Sequence, residues 1–156
     1  MGRMSAWISR VLSTRRKTIN SAPVVDVKAD PGGGALHTSN QFSAPGDDAL
    51  PLADDYALDV ALARTGGVAT VGYSDSKNAG QAGAGEKRIY ARDSSGAVVA
   101  EVFLHGDGEV EAKNGAASIT LAPDGTVTIG NSASSISFDP SGNITLTGAG
   151  FDWVSS

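Results

Sequence analysis

The chain contains no cysteine. That excludes a disulfide framework, a thiolate zinc site and a cysteine nucleophile. It has only two histidines, His37 and His105, so histidine-rich metal chemistry is not expected. Aromatic residues are 6% of the 156 residues, too few to fill a compact core with large rings. No apolar run approaches the roughly 18 residues of a membrane-spanning helix. The opening MGRMSAWISRVLSTRRK has only short apolar pieces and no small-residue cleavage site, so no export signal is expected there. What remains is 40% hydrophobic with 20 glycines. Such a chain is too apolar to be disordered throughout and is rich in turns.

Charge is unevenly spread. Residues 1–28 hold Arg3, Arg10, Arg15, Arg16, Lys17 and Lys28 against Asp26 alone, a balance of +5, which leaves −10 on the rest of a chain of net charge −5. A basic arm ahead of an acidic body fits nucleic acid, an anionic membrane surface, an acidic docking partner, or simply a solvated terminus. The acidic body would repel phosphate, which argues against nucleic acid as a partner.

Three regions follow from the pattern. Residues 1–22 form the basic arm. Within it Met4, Trp7, Ile8, Val11 and Leu12 recur at helical spacing, which predicts a short helix over 4–17 with arginines on its other side. Such a helix is marginal alone, so its stripe, with Arg15 and Arg16, is read as a docking surface for a partner. Residues 23–105 read as short strands: 24–27, 56–62, 68–73, 87–92 and 98–104, the last two joined by the turn Asp93-Ser94-Ser95-Gly96. About five strands in this length predict a small barrel of the OB type.

Residues 106–156 hold an internal repeat with a period of 17 and no gap: GDGEVEAKNGAASITLA, PDGTVTIGNSASSISFD and PSGNITLTGAGFDWVSS. Gly108, Gly125 and Gly142 fall in register, as do Val110, Val127 and Ile144, then Ala112, Ile129 and Leu146, and then Ile119, Ile136 and Trp153. Asp107, Asp124 and Ser141 precede the glycines, as turns require. Each repeat reads turn, strand, softer turn, strand, with apolar residues alternating with threonines. So few sizeable apolar side chains make a poor core for one chain. Copies of the chain would complete it. The expected fold is therefore all-β: an OB-like barrel followed by an intertwined homotrimeric β-helix, its core formed by Val110, Val127, Ile129, Ile144, Leu146, Ile119 and Ile136. An ordinary β-meander continuing the barrel is the alternative.

The basic start, the barrel, the segment GEKRIYARDSSG (85–96) and the run LHGDGEVEAKNGAASITLAPDGTVTI (104–129) together resemble the short central spike proteins of contractile-tailed phages, the Mu baseplate spike among them, and the related spikes of pyocins and secretion systems. The likeness covers roughly residues 40–156. It implies a homotrimeric structural virion component, without cofactor, at the distal end of the tail. Such a spike joins the tail hub or tube and transiently meets the host outer membrane. The chain departs from the family at its end. Several members carry a His-x-His motif that binds iron at the apex, whereas no histidine follows His105 here. Phe151, Asp152 and Trp153 are instead expected to form a metal-free tip. The lysozyme domain of larger relatives is also missing.

Catalytic candidates are weak. Asp54 and Asp55 are neighbours and would face opposite ways in a strand. His105 with Asp107 lacks a serine or metal partner. The Pro31–Gly34 stretch lacks the Lys-Ser/Thr of a phosphate loop. Asp107, Asp124 and Asp139 lack the nonapeptide calcium pattern. No enzyme activity is expected. A trimeric fibre-like module that binds a host surface receptor is the alternative to the spike, disfavoured because the repeat is nearly free of aromatics before Phe151.

Overall fold

The computed structural model describes residues 5–42, 48–62 and 66–150. Met4 and the proposed tip, Phe151, Asp152 and Trp153, lie outside the described residues. The described elements are strands only. They divide into two units, Met1–Ala79 and Gly80–Ser156.

The first unit is a closed five-stranded barrel in the order β1-β2-β3-β5-β4. Its strands are β1 (Ala6–Ile19), β2 (Ala22–Asp30), β3 (His37–Gln41), β4 (Tyr56–Ala61) and β5 (Val68–Ser74). β3 and β5 are parallel and the other pairs antiparallel. Among the described residues the expected helix over 4–17 is therefore absent. Residues 6–17 of that stretch lie in β1, which pairs with β4 through Ala6–Arg10 and with β2 through Arg10–Ile19. The physical reason is a register shift between Val11 and Ser13. An extra residue there breaks the two-residue alternation and imitates helical spacing. Backbone bonds from the Asp54-Asp55 corner lock the bulge: Val11 N–H donates to Asp55 at 2.8 Å and Asp54 N–H to Val11 at 2.9 Å. At the other end, Asn20 and Ser21 both have positive φ, which suits the tight turn joining β1 to β2.

The barrel core is small. Val11, Val27, Ala29 and Ala57 form it, with Val25 and Tyr73 packed against it. Beside it lies a polar cluster. The Asp59 carboxylate, with no exposed surface, accepts from Thr70 Oγ1 at 2.6 Å and meets His37 Nε2 at 2.9 Å. Ser39 and Thr70 hydroxyls bond each other at 2.5 Å.

The second unit is a seven-stranded antiparallel meander. It runs through β6 (Lys87–Arg92), β7 (Val98–Leu104), β8 (Val110–Asn114), β9 (Ala117–Leu121), β10 (Val127–Asn131), β11 (Ser135–Phe138) and β12 (Ile144–Thr147). β1 is thus part of the barrel sheet, and β6 and β7 are part of the meander. The repeat's tight turns share one geometry. His105, Ala122 and Asp139 each donate a backbone N–H four residues on, and Gly108, Gly125 and Gly142 return one to them. These glycines have φ between 87° and 98°, which a side chain would strain. Asp124 Oδ1 accepts from Thr126 N–H at 2.8 Å, and Asp139 Oδ1 from Ser141 and Asn143 N–H at 2.9 Å. The softer turns are held alike by Asn114 and Asn131, whose Oδ1 atoms accept two backbone N–H groups each.

Candidate assembly surface

In an antiparallel ladder, directly paired residues project from the same face. The pairing therefore sorts the meander's side chains. One row runs Leu104–Val110–Leu121–Val127–Phe138–Ile144 across six strands. A second, two residues along, runs Val102–Ala112–Ile119–Ile129–Ile136–Leu146, with Ile89 of β6 opposite Val102. Both rows lie on one face, and Lys87, opposite Leu104, ends the first. All seven residues expected in a shared core stand in these rows. Ile89, Val102, Leu104, Leu121 and Phe138 were not among them. They belong to strands before the repeat or to the strand positions two residues from those chosen, and strict alternation would have found them.

This aliphatic face is uncovered. Ile129 is 44% exposed, Leu146 52% and Ile144 62%. Soluble chains seldom leave so continuous an apolar surface open.

The opposite face is polar. Glu111, Thr120, Thr128, Ser137 and Thr145 form one row. Glu101 joins Arg88 and Lys113 in an ion-pair network, and Lys113 also reaches Glu111 at 2.6 Å. Burial works to raise the Glu101 carboxyl, but the Arg88 and Lys113 hydrogen bonds outweigh it and hold the group below its ordinary 4.5. The Arg88 guanidinium also lies 4.7 Å over the Tyr90 ring. One face is thus built for water and the other for apolar cover.

The proposed docking stripe is dispersed by the strand. Val11 is wholly buried in the barrel core, so it cannot contact a partner. Trp7 packs edge-on against His37. Leu12 sits half-buried at the bulge. Arg15 pairs with Asp26 and Arg16 with Asp48, each at 3.0 Å. Of the stripe's described apolar residues, Ile8 stays largely exposed, at 66%, beside its cross-strand neighbour Leu58. Asp26 also receives Lys17. The Lys17 hydrogen bond first, and the Arg15 bond with it, hold Asp26 below its ordinary 3.8.

The reactive-looking residues have structural partners. Asp55 Oδ2 accepts from Leu52 N–H at 2.8 Å, while exposed Asp54 lies 3.8 Å from Arg10. His105 stacks on Phe103 at 4.1 Å and lies 3.9 Å from Glu86 and 3.7 Å from Glu109. The cluster of His37, Asp59, Thr70 and Ser39 has triad residue types but not triad bonding. Thr70 bonds the carboxylate and Ser39 bonds Thr70, so neither hydroxyl is activated by the imidazole. Burial also pushes the nearby Tyr73 phenol up, and the Asp59 charge adds to this. No group of three or more His, Cys, Asp or Glu placed to hold a metal occurs among the described residues. Neither a protein-family model nor a curated protein matches the chain.

Proposed function

We propose that the chain is a structural spike at the distal end of a phage tail, working as a homotrimer. The observation that carries this reading is the two-row aliphatic face of β7–β12, uncovered on a single chain.

Three meanders turned inward make a thin β-helical rod with a dry aliphatic interior and a Thr, Ser and Glu exterior. Copies around one axis also remove the open edges that a lone meander presents. A close-packed interior is hard to compress, so the rod passes on the thrust of a contracting tail without chemistry of its own. The barrel supplies the attachment. Its order β1-β2-β3-β5-β4 with a parallel β3–β5 closure fits an OB-type barrel. Exposed Ile8 and Leu58 on its wall, with Arg15 and Arg16 nearby in sequence, offer an apolar and basic contact for the tail hub or tube. The resemblance of segments 85–96 and 104–129 to central spikes supplies the tail context.

The test is immunogold labelling of virions from the source phage with antibodies against the chain. Gold at the distal tail end supports the spike. Gold along lateral fibres supports a receptor-binding fibre, and unlabelled virions remove the virion role.

A further inference from the structure

The two units differ in what they have buried. The barrel encloses Val11, Val27, Ala29 and Ala57 and satisfies a buried carboxylate within its own wall. Among the described residues of Gly80–Ser156, Gly96 alone is buried, and it has no side chain to contribute. Every aliphatic residue of the two rows keeps exposed surface. The ladder bonds of the meander are therefore protected by nothing but the strands beside them. Backbone ordering is costly, and a sheet without a covered face has little to offset it.

We infer that the barrel folds as a monomer and that the β6–β12 sheet folds only on meeting copies of itself. Assembly and folding of this half of the chain are then one event. The inference rests on the self-association proposed above and adds an order to it. The occupant of the face is a second and third copy of this sheet. A cover must match two aliphatic rows crossing six strands and bring no charge to them. The chain carries such a surface on every copy: rows Leu104–Ile144 and Val102–Leu146 are uncharged throughout, so a second copy brings apolar residues and no charge to them. The cavity of about 650 Å³ on this face is lined in part by the rows' own Ile129, Ile136 and Leu146, and the charge that the pairing places beside the rows is Lys87, at the β6 edge. The barrel holds the copies in solution with the sheet not yet formed. This keeps the apolar rows from being displayed as a finished, aggregation-prone surface.

The experiment is amide hydrogen exchange on the full-length chain, read by mass spectrometry, above and below the concentration at which sedimentation finds it dissociating. In the assembled state, β1–β5 and β6–β12 are both protected. In the dissociated state, the amides of β6–β12 exchange within about tenfold of an open chain, while those of β1–β5 stay at least about a hundredfold slower. If dilution does not separate the copies, Ile129→Asp supplies the monomer, with Thr128→Asp on the polar face as the control. A monomer whose sheet stays as protected as its barrel overturns the inference. Loss of barrel protection together with the sheet also overturns it and leaves self-association standing. A wild-type chain that is monomeric at every concentration removes the self-association reading itself. An Ile129→Asp chain that remains assembled shows that the copies meet elsewhere and overturns the inference while leaving self-association standing.

Discussion

Replacing Ile129 by aspartate separates a covered face from an open one. In a single chain Ile129 is 44% exposed, so losing its side chain there costs about 1 kcal/mol, roughly half the value for full burial. In a three-chain rod the remaining surface is covered, and each copy forfeits about 2 kcal/mol. Three carboxylates about 8 Å apart also repel by about 2 kcal/mol per pair at an effective dielectric constant of about 20. The total is on the order of 10 kcal/mol per rod, before any cost of desolvating the charges. Thr128 pairs with Thr120 and Ser137 on the polar face. Its replacement by aspartate costs about 1 kcal/mol or less per copy. The assay is sedimentation velocity with thermal melting, at one concentration for both variants. Ile129→Asp is expected to sediment as a monomer, and Thr128→Asp to stay assembled and melt within a few degrees of the parent. Equal behaviour of the two variants refutes the facing assignment.

Asp59→Ala removes the partner of both His37 and Thr70 inside the barrel. It is expected to destabilise the barrel by about 2–4 kcal/mol, read by urea unfolding followed through Trp7 fluorescence in a Trp153→Phe background; an unchanged midpoint would show that the cluster is not structural. Acid acts on the ion pairs. Asp26 and Glu101 are held below their ordinary values of 3.8 and 4.5, so their stabilisation is complete above the unfolded carboxylate range and is lost as pH falls through the lower folded values. Stability is therefore expected to be flat from about pH 7 to 5 and to fall below about pH 4, with Asp26→Asn reducing the fall; stability that rises on acidification contradicts this. Deleting residues 1–20 removes β1 and both of its seams. The barrel is expected to lose its dispersed amide NMR spectrum, whereas a truncated chain with that spectrum intact restores the detachable arm.

The repeat was the most legible part of the sequence, because turn chemistry is local. Glycines 108, 125 and 142 mark the tight turns, and the two-residue alternation around Thr126-Val127-Thr128-Ile129 fixes which side chains share a face. Ser141 was the imperfect member of its register. The structure shows Asp139, two residues earlier, taking the turn's N–H groups instead. β1 was illegible for a specific reason. Ser9 occupies an inward position between Trp7 and Val11 and is buried, so a polar residue interrupts the apolar alternation. The bulge after Val11 then shifts the phase. β3 reads His-Thr-Ser-Asn-Gln and has no aliphatic residue. Its place comes from pairing with β2 and β5 and from Ser39 and His37 reaching the Asp59 cluster. Such tertiary contacts leave no periodic mark. β6 and β7 carry ordinary strand patterns that suit a barrel or a meander equally. Only their pairing with β8 decides between the two.

Sedimentation equilibrium of the untagged full-length protein at micromolar concentration tests the central claim most directly. The account predicts a species three times the chain mass of 15.7 kDa. A single species at 15.7 kDa across the whole concentration range would contradict it.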